Sequence, residues 1–135
     1  MTFTVAPIGV VESPLLDLAS APRQGDEGAP VASIVVHEEF AAALNGVRVG
    51  DRLVVLTWLD RADRTTLETI PRGEVGRGVQ GVFSTRSPDR PNPIGLHEVE
   101  ILDIDGTRLR VAGLEAIDGT PVLDLKPVLG PVADR

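Results

Sequence analysis

Cysteine is absent from this chain, which excludes a disulfide framework and any zinc–cysteine site. Histidine is nearly absent too. His37 and His97 lie far apart and without metal-ligand spacing, so no metal is expected. The aromatic side chains are limited to Phe3, Phe40, Trp58 and Phe83, few for a protein that captures a base by stacking it on a ring. Trp58 stands in an apolar run and reads as core. Phe83 directly precedes a proline-rich segment and is the better stacking platform, although burial is the commoner fate of such a ring. No apolar run approaches a membrane span, and the opening MTFTVAPIGV lacks a basic region ahead of a long apolar stretch. The expectation is a soluble, cytoplasmic protein with no membrane partner. No G-x-G-x-x-G follows a strand and opens a helix, so a Rossmann-type cofactor fold has no support.

Positive charge is in deficit: 13 Lys and Arg stand against 20 Asp and Glu, a net charge of −7. Proteins that hold RNA by its backbone usually carry a basic face. Here acids cluster at Glu38 and Glu39, at Glu98, Glu100, Asp103 and Asp105, and at Glu115 and Asp118. Between residues 72 and 95, however, Arg72, Arg77, Arg86 and Arg90 face only Glu74 and Asp89. That segment reads either as a local basic mouth for an anionic substrate or as arginines solvating a loop-rich surface.

Against these absences stands one dense segment, GVFSTRSPDRPNPIGL, residues 81–96. Pro88, Pro91 and Pro93 each fix φ and remove a backbone donor, which forbids a helix. Each also pushes the residue before it toward extended geometry. A stiff irregular loop follows, presenting Arg86, Arg90 and Asn92 with little freedom. Order prepared before binding is not lost on binding, so the loop suits an anion or a polar cofactor. It equally suits a rigid turn whose arginines lie in solvent.

The rest of the chain predicts short strands. Residues 3–11, Ala32–Val36, 52–59, 67–70 and 79–84 are strand candidates, 15–30 a long loop, and Glu38–Leu44 a short helix. Asp105 and Gly106 stand between Val99, Ile101 and Ile104 on one side and Leu109 and Val111 on the other, a strong hairpin signal. Asp118 and Gly119 repeat it ahead of residues 122–125. Many short strands at close turn spacing predict an all-β, mainly antiparallel fold: one barrel domain over residues 1–135, with one or two short helices and long loops. In LDLKP, Asp124 and Lys126 alternate onto one strand face and Leu123 and Leu125 onto the other. The two charges form a buried pair, often structural, or a proton-transfer site with Asp124 as the base.

In chain order, IGVVESP (8–14), APRQG (21–25), TRSPDRPNPIGL (85–96) and LEAIDGTPVLDLKP (114–127) resemble the blocks of the TsaA-like (TrmO-type) family. These are β-barrel S-adenosylmethionine-dependent methyltransferases whose best-known members methylate N6-threonylcarbamoyladenosine at position 37 of tRNA. The resemblance implies that cofactor and that reaction, and a homodimer with the cofactor site near the subunit interface. It places cofactor contacts at Arg86 and Leu96, at Pro22, Arg23 and Gln24, and at Asp118, Gly119, Thr120 and Pro121. From the residues alone, APRQG is a surface loop and Asp-Gly a hairpin turn. Where many relatives have a histidine after the strand ending at Trp58, this chain has Asp60, followed by Arg61. Asp60 and Arg61 are candidates for the cofactor side, Asp60 suiting its ammonium; the alternative is a solvated strand end. His97 stands where serine is common and reads as a satisfied edge histidine. Arg77, Arg90, Asn92 and Lys126 are candidates for the substrate side.

Methyl transfer from a sulfonium is an in-line displacement that needs alignment and proton removal, without metal or covalent intermediate. Arg86 suits the cofactor carboxylate, since a guanidinium grips a carboxylate through two parallel hydrogen bonds. Three functions remain side by side: the tRNA enzyme, a small-molecule N- or O-methyltransferase on the same barrel, and a cofactor-binding module without transferase activity.

Overall fold

From Glu98 to Ile101 charged and apolar residues alternate one for one, and a strand sends such a series to opposite faces. The computed structural model, which describes residues 1–15, 31–70 and 78–130, places them in its longest strand, β6 (Ile94–Asp105). The other strands are β1 (Gly9–Glu12), β2 (Ala32–Val36), β3 (Arg52–Trp58), β4 (Glu68–Thr69), β5 (Gln80–Gly81), β7 (Arg108–Ala112) and β8 (Pro121–Pro127). Six of them close into an antiparallel barrel in the order β1-β2-β7-β6-β3-β8, with β8 paired back to β1. This is the all-β fold that the turn spacing predicts. β4 and β5 form a separate two-stranded ladder.

Closure removes the edges of the six-stranded sheet and turns one face of each of its strands inward. Val11, Ile34, Val36, Leu53, Val55, Val99, Ile101, Leu109, Val111 and Val122 fill the interior. One mouth is capped by Glu38–Leu44, whose Phe40 and Leu44 pack on the core together with Val47. The cap is a 3₁₀ helix, a form that short segments favour because nucleating an α-helix over so few residues is costly. The opposite mouth is crossed by residues 113–120, which bury Leu114, Ala116, Ile117 and Thr120. The proline-rich loop lies at this second mouth, because it enters β6 at Ile94, opposite Trp58.

Four expectations about elements change. The first strand begins only at Gly9; Phe3 and Val5 are exposed. The strand expected over 79–84 is two residues long and turns at Val82–Ser84 into a 3₁₀ helix. The first hairpin turns through Gly106 and Thr107, with Gly106 at φ +61° and Asp105 paired to Arg108. Gly at the first central position is the type II′ arrangement. Asp118 and Gly119 do make a turn, but not a hairpin. β7 and β8 are not neighbours in the ring, so the chain must cross the mouth between them.

On the outer face Arg108 reaches across β2 to Glu12, with Nη1 and Nη2 at 2.8 and 3.2 Å from the two carboxylate oxygens. The hydrogen bond to Arg108 holds the Glu12 carboxyl below its ordinary value of 4.5. A carboxylate lowered on folding contributes stability above its unfolded pKa and loses it as pH falls through the folded value. Glu12→Gln is therefore expected to lower Tm slightly at neutral pH, the pair being exposed and screened. The gap closes in strong acid. Calorimetry across that pH range checks this, and a gap that persists in acid would refute it. Among the described residues no helix is long and apolar enough to cross a membrane.

Candidate active site

Three prolines leave the loop before β6 short of backbone donors, yet its carbonyls still need partners. Two guanidiniums supply them. Arg90 donates from Nε to the Ser87 carbonyl at 2.8 Å and from Nη2 to those of Val82 and Thr85 at 2.7 and 2.5 Å. Arg64, from the loop after β3, donates to the Pro91 carbonyl at 2.8 Å and to Asn92 Oδ1 at 3.1 Å, and lies over the Trp58 ring at 5.1 Å. The two loops are joined further by the Asp63 N–H on Asp89 Oδ1 and the Leu59 N–H on the Pro93 carbonyl, both 2.8 Å. Asp63 itself accepts from the Thr65 hydroxyl and N–H at 2.6 and 2.7 Å. Chiefly the hydroxyl, then the N–H, holds its carboxyl below the usual value.

This bracing gives Arg90 and Asn92 a structural role beside the substrate-side one expected of them. Arg90 is committed to three carbonyls and Asn92 Oδ1 to Arg64, so the loop's own architecture uses them. A single ammonium cannot reproduce the guanidinium fork. Arg90→Lys is expected to cost about 1–2 kcal/mol of stability, measured by urea denaturation; native stability would overturn this role. Arg86 differs. Its side chain is exposed and makes no hydrogen bond or ion pair with the described residues.

The turn that crosses the mouth is tied to β1. Asp118 Oδ1 accepts the Ser13 N–H at 3.0 Å, the Asp118 N–H reaches the Leu15 carbonyl at 2.6 Å, and the Gly119 N–H reaches that of Val11 at 2.8 Å. Gly119 supplies the positive φ, +86°, that side-chain-bearing residues avoid. Thr120 is buried, and its hydroxyl donates to the Ile117 carbonyl at 2.7 Å. Its side chain therefore holds the turn, and Pro121 opens β8 beside Val10. Asp118 and Gly119 face solvent. Asp60 and Arg61 are exposed in the turn after β3, next to the Leu59–Pro93 hydrogen bond. Leu96 is 48% exposed on the outer face of β6 beside Leu56, with Ile94 beside Trp58.

Arg86, Leu96, Asp60, Arg61 and residues 118–121 thus share one end of the barrel. Pro22, Arg23, Gln24 and Arg77 lie outside the described residues; Leu15 and Val31, which flank the first three, stand at this same end.

Three further expectations are corrected. Asp124 and Lys126 are paired at 3.2 Å, but on the outer face and largely exposed. A β-bulge at Leu123 interrupts the alternation, so that Asp124 pairs with Leu56 and Val122 with Thr57. Asp124 borders a hollow with Phe40 and Leu44 and stands opposite Leu56, the neighbour of Leu96 on the outer face. Trp58 is half-buried on the outer face rather than in the core, because Leu53, Val55 and Thr57 take the inward positions of β3. Phe83 is 84% exposed, so the burial reading fails and the platform reading survives.

Sequence reading missed Arg64 altogether; no motif marks it. It also misplaced His97, which is buried rather than at an edge. His97 Nε2 lies 2.8 Å from Thr57 Oγ1, and Nδ1 lies 2.7 Å from Glu115 Oε1. Counting by twos from Val99 places His97 inside, so that signal was present. The contact with Glu115 had none.

One mouth of the barrel therefore offers a guanidinium unpaired among the described residues, exposed apolar side chains and an ordered backbone turn. A ligand with a carboxylate and an apolar ring matches that set. Among the described residues no group of three His, Asp or Glu gathers as a metal site requires.

Comparison with known proteins agrees over nearly the whole chain. Residues 10–134 match the model of the tRNA-methyltransferase O N-terminal domain. An S-adenosyl-L-methionine-binding protein of Archaeoglobus fulgidus is 47% identical over 120 residues, 89% of this chain and 85% of that one. A probable S-adenosyl-L-methionine-binding protein of Methanothermobacter thermautotrophicus is 44% identical over 127 residues, 94% of this chain and 90% of that one. The crystal structure of TrmO from Pseudomonas aeruginosa superposes with a TM-score of 0.77 at 31% identity, covering all of this chain. This chain spans only 60% of the length of that structure. The chain thus belongs to the tRNA-methyltransferase O N-terminal domain family.

Proposed function

We propose that this protein is an S-adenosylmethionine-dependent methyltransferase acting on N6-threonylcarbamoyladenosine at position 37 of tRNA. The observation that carries the reading is the division of labour among the arginines. Arg90 and Arg64 are spent on holding the proline-rich loop, while Arg86 is held out of that network on a rigid stem. A rigid, unpaired guanidinium is what a carboxylate-bearing cofactor needs.

Bound S-adenosylmethionine supplies an electrophilic methyl group on sulfur. Arg86 would hold the carboxylate of its amino-acid tail and Asp60 the ammonium. Leu96 and Ile94 offer an apolar wall, and residues 118–121 offer backbone groups to the adenosine part. The chain's contribution to rate is alignment of acceptor nitrogen and methyl group. Exposed Phe83 and Arg61 stand at the same end for the acceptor base, which stacking on a ring or guanidinium plane would hold.

The exposed apolar strip of Ile94 and Leu96 beside the half-buried Trp58 favours a second copy of the chain as its cover, giving a homodimer with the cofactor near the interface. A cytoplasmic tRNA is the partner.

A small-molecule acceptor is the second reading, favoured by the net charge of −7. Methyl transfer from labelled S-adenosylmethionine to tRNA carrying threonylcarbamoyladenosine, followed by mass spectrometry of the nucleosides, separates them. A methylated threonylcarbamoyladenosine peak supports the tRNA enzyme, and steep salt dependence would accompany it. No transfer from protein that binds the cofactor moves the assignment to a small acceptor, or to a binding module.

A further inference from the structure

The interior of a barrel this narrow is filled by side chains, and apolar ones fill it at least cost. Thr57, His97 and Glu115 depart from that economy. Thr57 is fully buried, His97 is 7% exposed and the Glu115 side chain 19%. An ionised carboxylate only accepts, so Glu115 fixes the proton on His97 Nδ1. In the neutral imidazole, Nε2 then accepts from the Thr57 hydroxyl.

The contact with Thr57 exists only because Gly95 lies between them: a Cβ there would stand 2.3 Å from Thr57 Oγ1 and 2.8 Å from His97 Nε2. A polar chain in a core gives up packing energy and specifies one arrangement. What this one specifies is visible from its ends. His97 is adjacent to Leu96, and on a strand an inward His97 means an outward Leu96. Glu115 lies in the crossing segment, three residues before Asp118.

We propose that the Glu115–His97–Thr57 chain is a positioning device that fixes Leu96 and the 118–121 turn relative to each other for cofactor binding. The proposal rests on the cofactor reading above. His97 and Glu115 touch no ligand in it; they act through the backbone they hold.

Two variants divide the chain. In His97→Asn the amide nitrogen falls near the place of Nδ1 and keeps the donor to Glu115. In His97→Gln the amide oxygen takes the place of Nε2, accepts from the Thr57 hydroxyl and leaves Glu115 without its donor. Titration calorimetry with S-adenosylmethionine is combined with amide hydrogen exchange at Gly119 and Thr120 in the ligand-free protein. We expect His97→Gln to weaken binding about tenfold or more and to speed exchange at both amides, and His97→Asn to restore both.

Glu115→Ala, at the more exposed end, is to show the same loss and replaces His97→Gln should that variant not fold. A lowered Tm with native affinity and native exchange in these variants would reduce the chain to core filling and overturn the proposal. So would failure of His97→Asn to restore either. If the native protein binds no S-adenosylmethionine, the cofactor reading falls, and the exchange rates alone decide whether His97 holds the turn.

Discussion

Arg86→Ala will weaken S-adenosylmethionine binding by about 10- to 100-fold and leave Tm where it was. Removing a hydrogen-bonded charge from a carboxylate costs about 1.5–3 kcal/mol, which gives that range. The second half of the expectation follows from geometry. The Arg86 side chain is exposed and has no partner among the described residues, so its loss removes none of their contacts. Arg86→Lys should fall between, since an ammonium keeps the charge and loses the planar fork. Titration and scanning calorimetry on the same samples check both halves. Native affinity in the alanine variant would remove Arg86 from the site. A drop in Tm would mean that the guanidinium braces the loop as Arg90 does.

Gly95→Ala will cost about 3 kcal/mol, or roughly 10 °C in Tm. The new methyl would enter the space between Thr57 and His97, with Leu59 Cδ2 at 3.3 Å closing a third side. Neither polar side chain can swing away without breaking a buried hydrogen bond. Thr57→Ala removes the nearest obstacle, so the double variant is expected to lose less than the sum of the singles. Denaturation of all three proteins gives the coupling. Additive losses would show that the cost arises from backbone strain and not from the crowded chain.

Much of this was legible before any coordinates. The alternation around Val99 and Ile101 and the turn at Gly106 specify antiparallel strands, and the prolines at 88, 91 and 93 specify a stiff loop. Residue chemistry singled out Arg86 as a grip for an anion, and its side chain has no partner among the described residues. That chemistry did not separate Arg86 from Arg90, because what distinguishes them is which carbonyls lack donors once the loop has folded. Nor did it place Asp124 on an exposed outer face, because a single bulge shifts the β3–β8 register, and local sequence carries little trace of a bulge.

By itself the sequence determined the strand-rich barrel, its family blocks and the rigid loop, since these depend on local alternation, fixed φ angles and missing donors. Tertiary structure settled which of the two alternating faces of β6 lies inside. Strict alternation back from Val99 turns Ile94 and Leu96 to the surface and Gly95 and His97 to the interior, reversing the expected burial of apolar and polar residues. Ring closure then carries Glu115 over the mouth to His97. Both outcomes depend on pairings between residues distant in the chain.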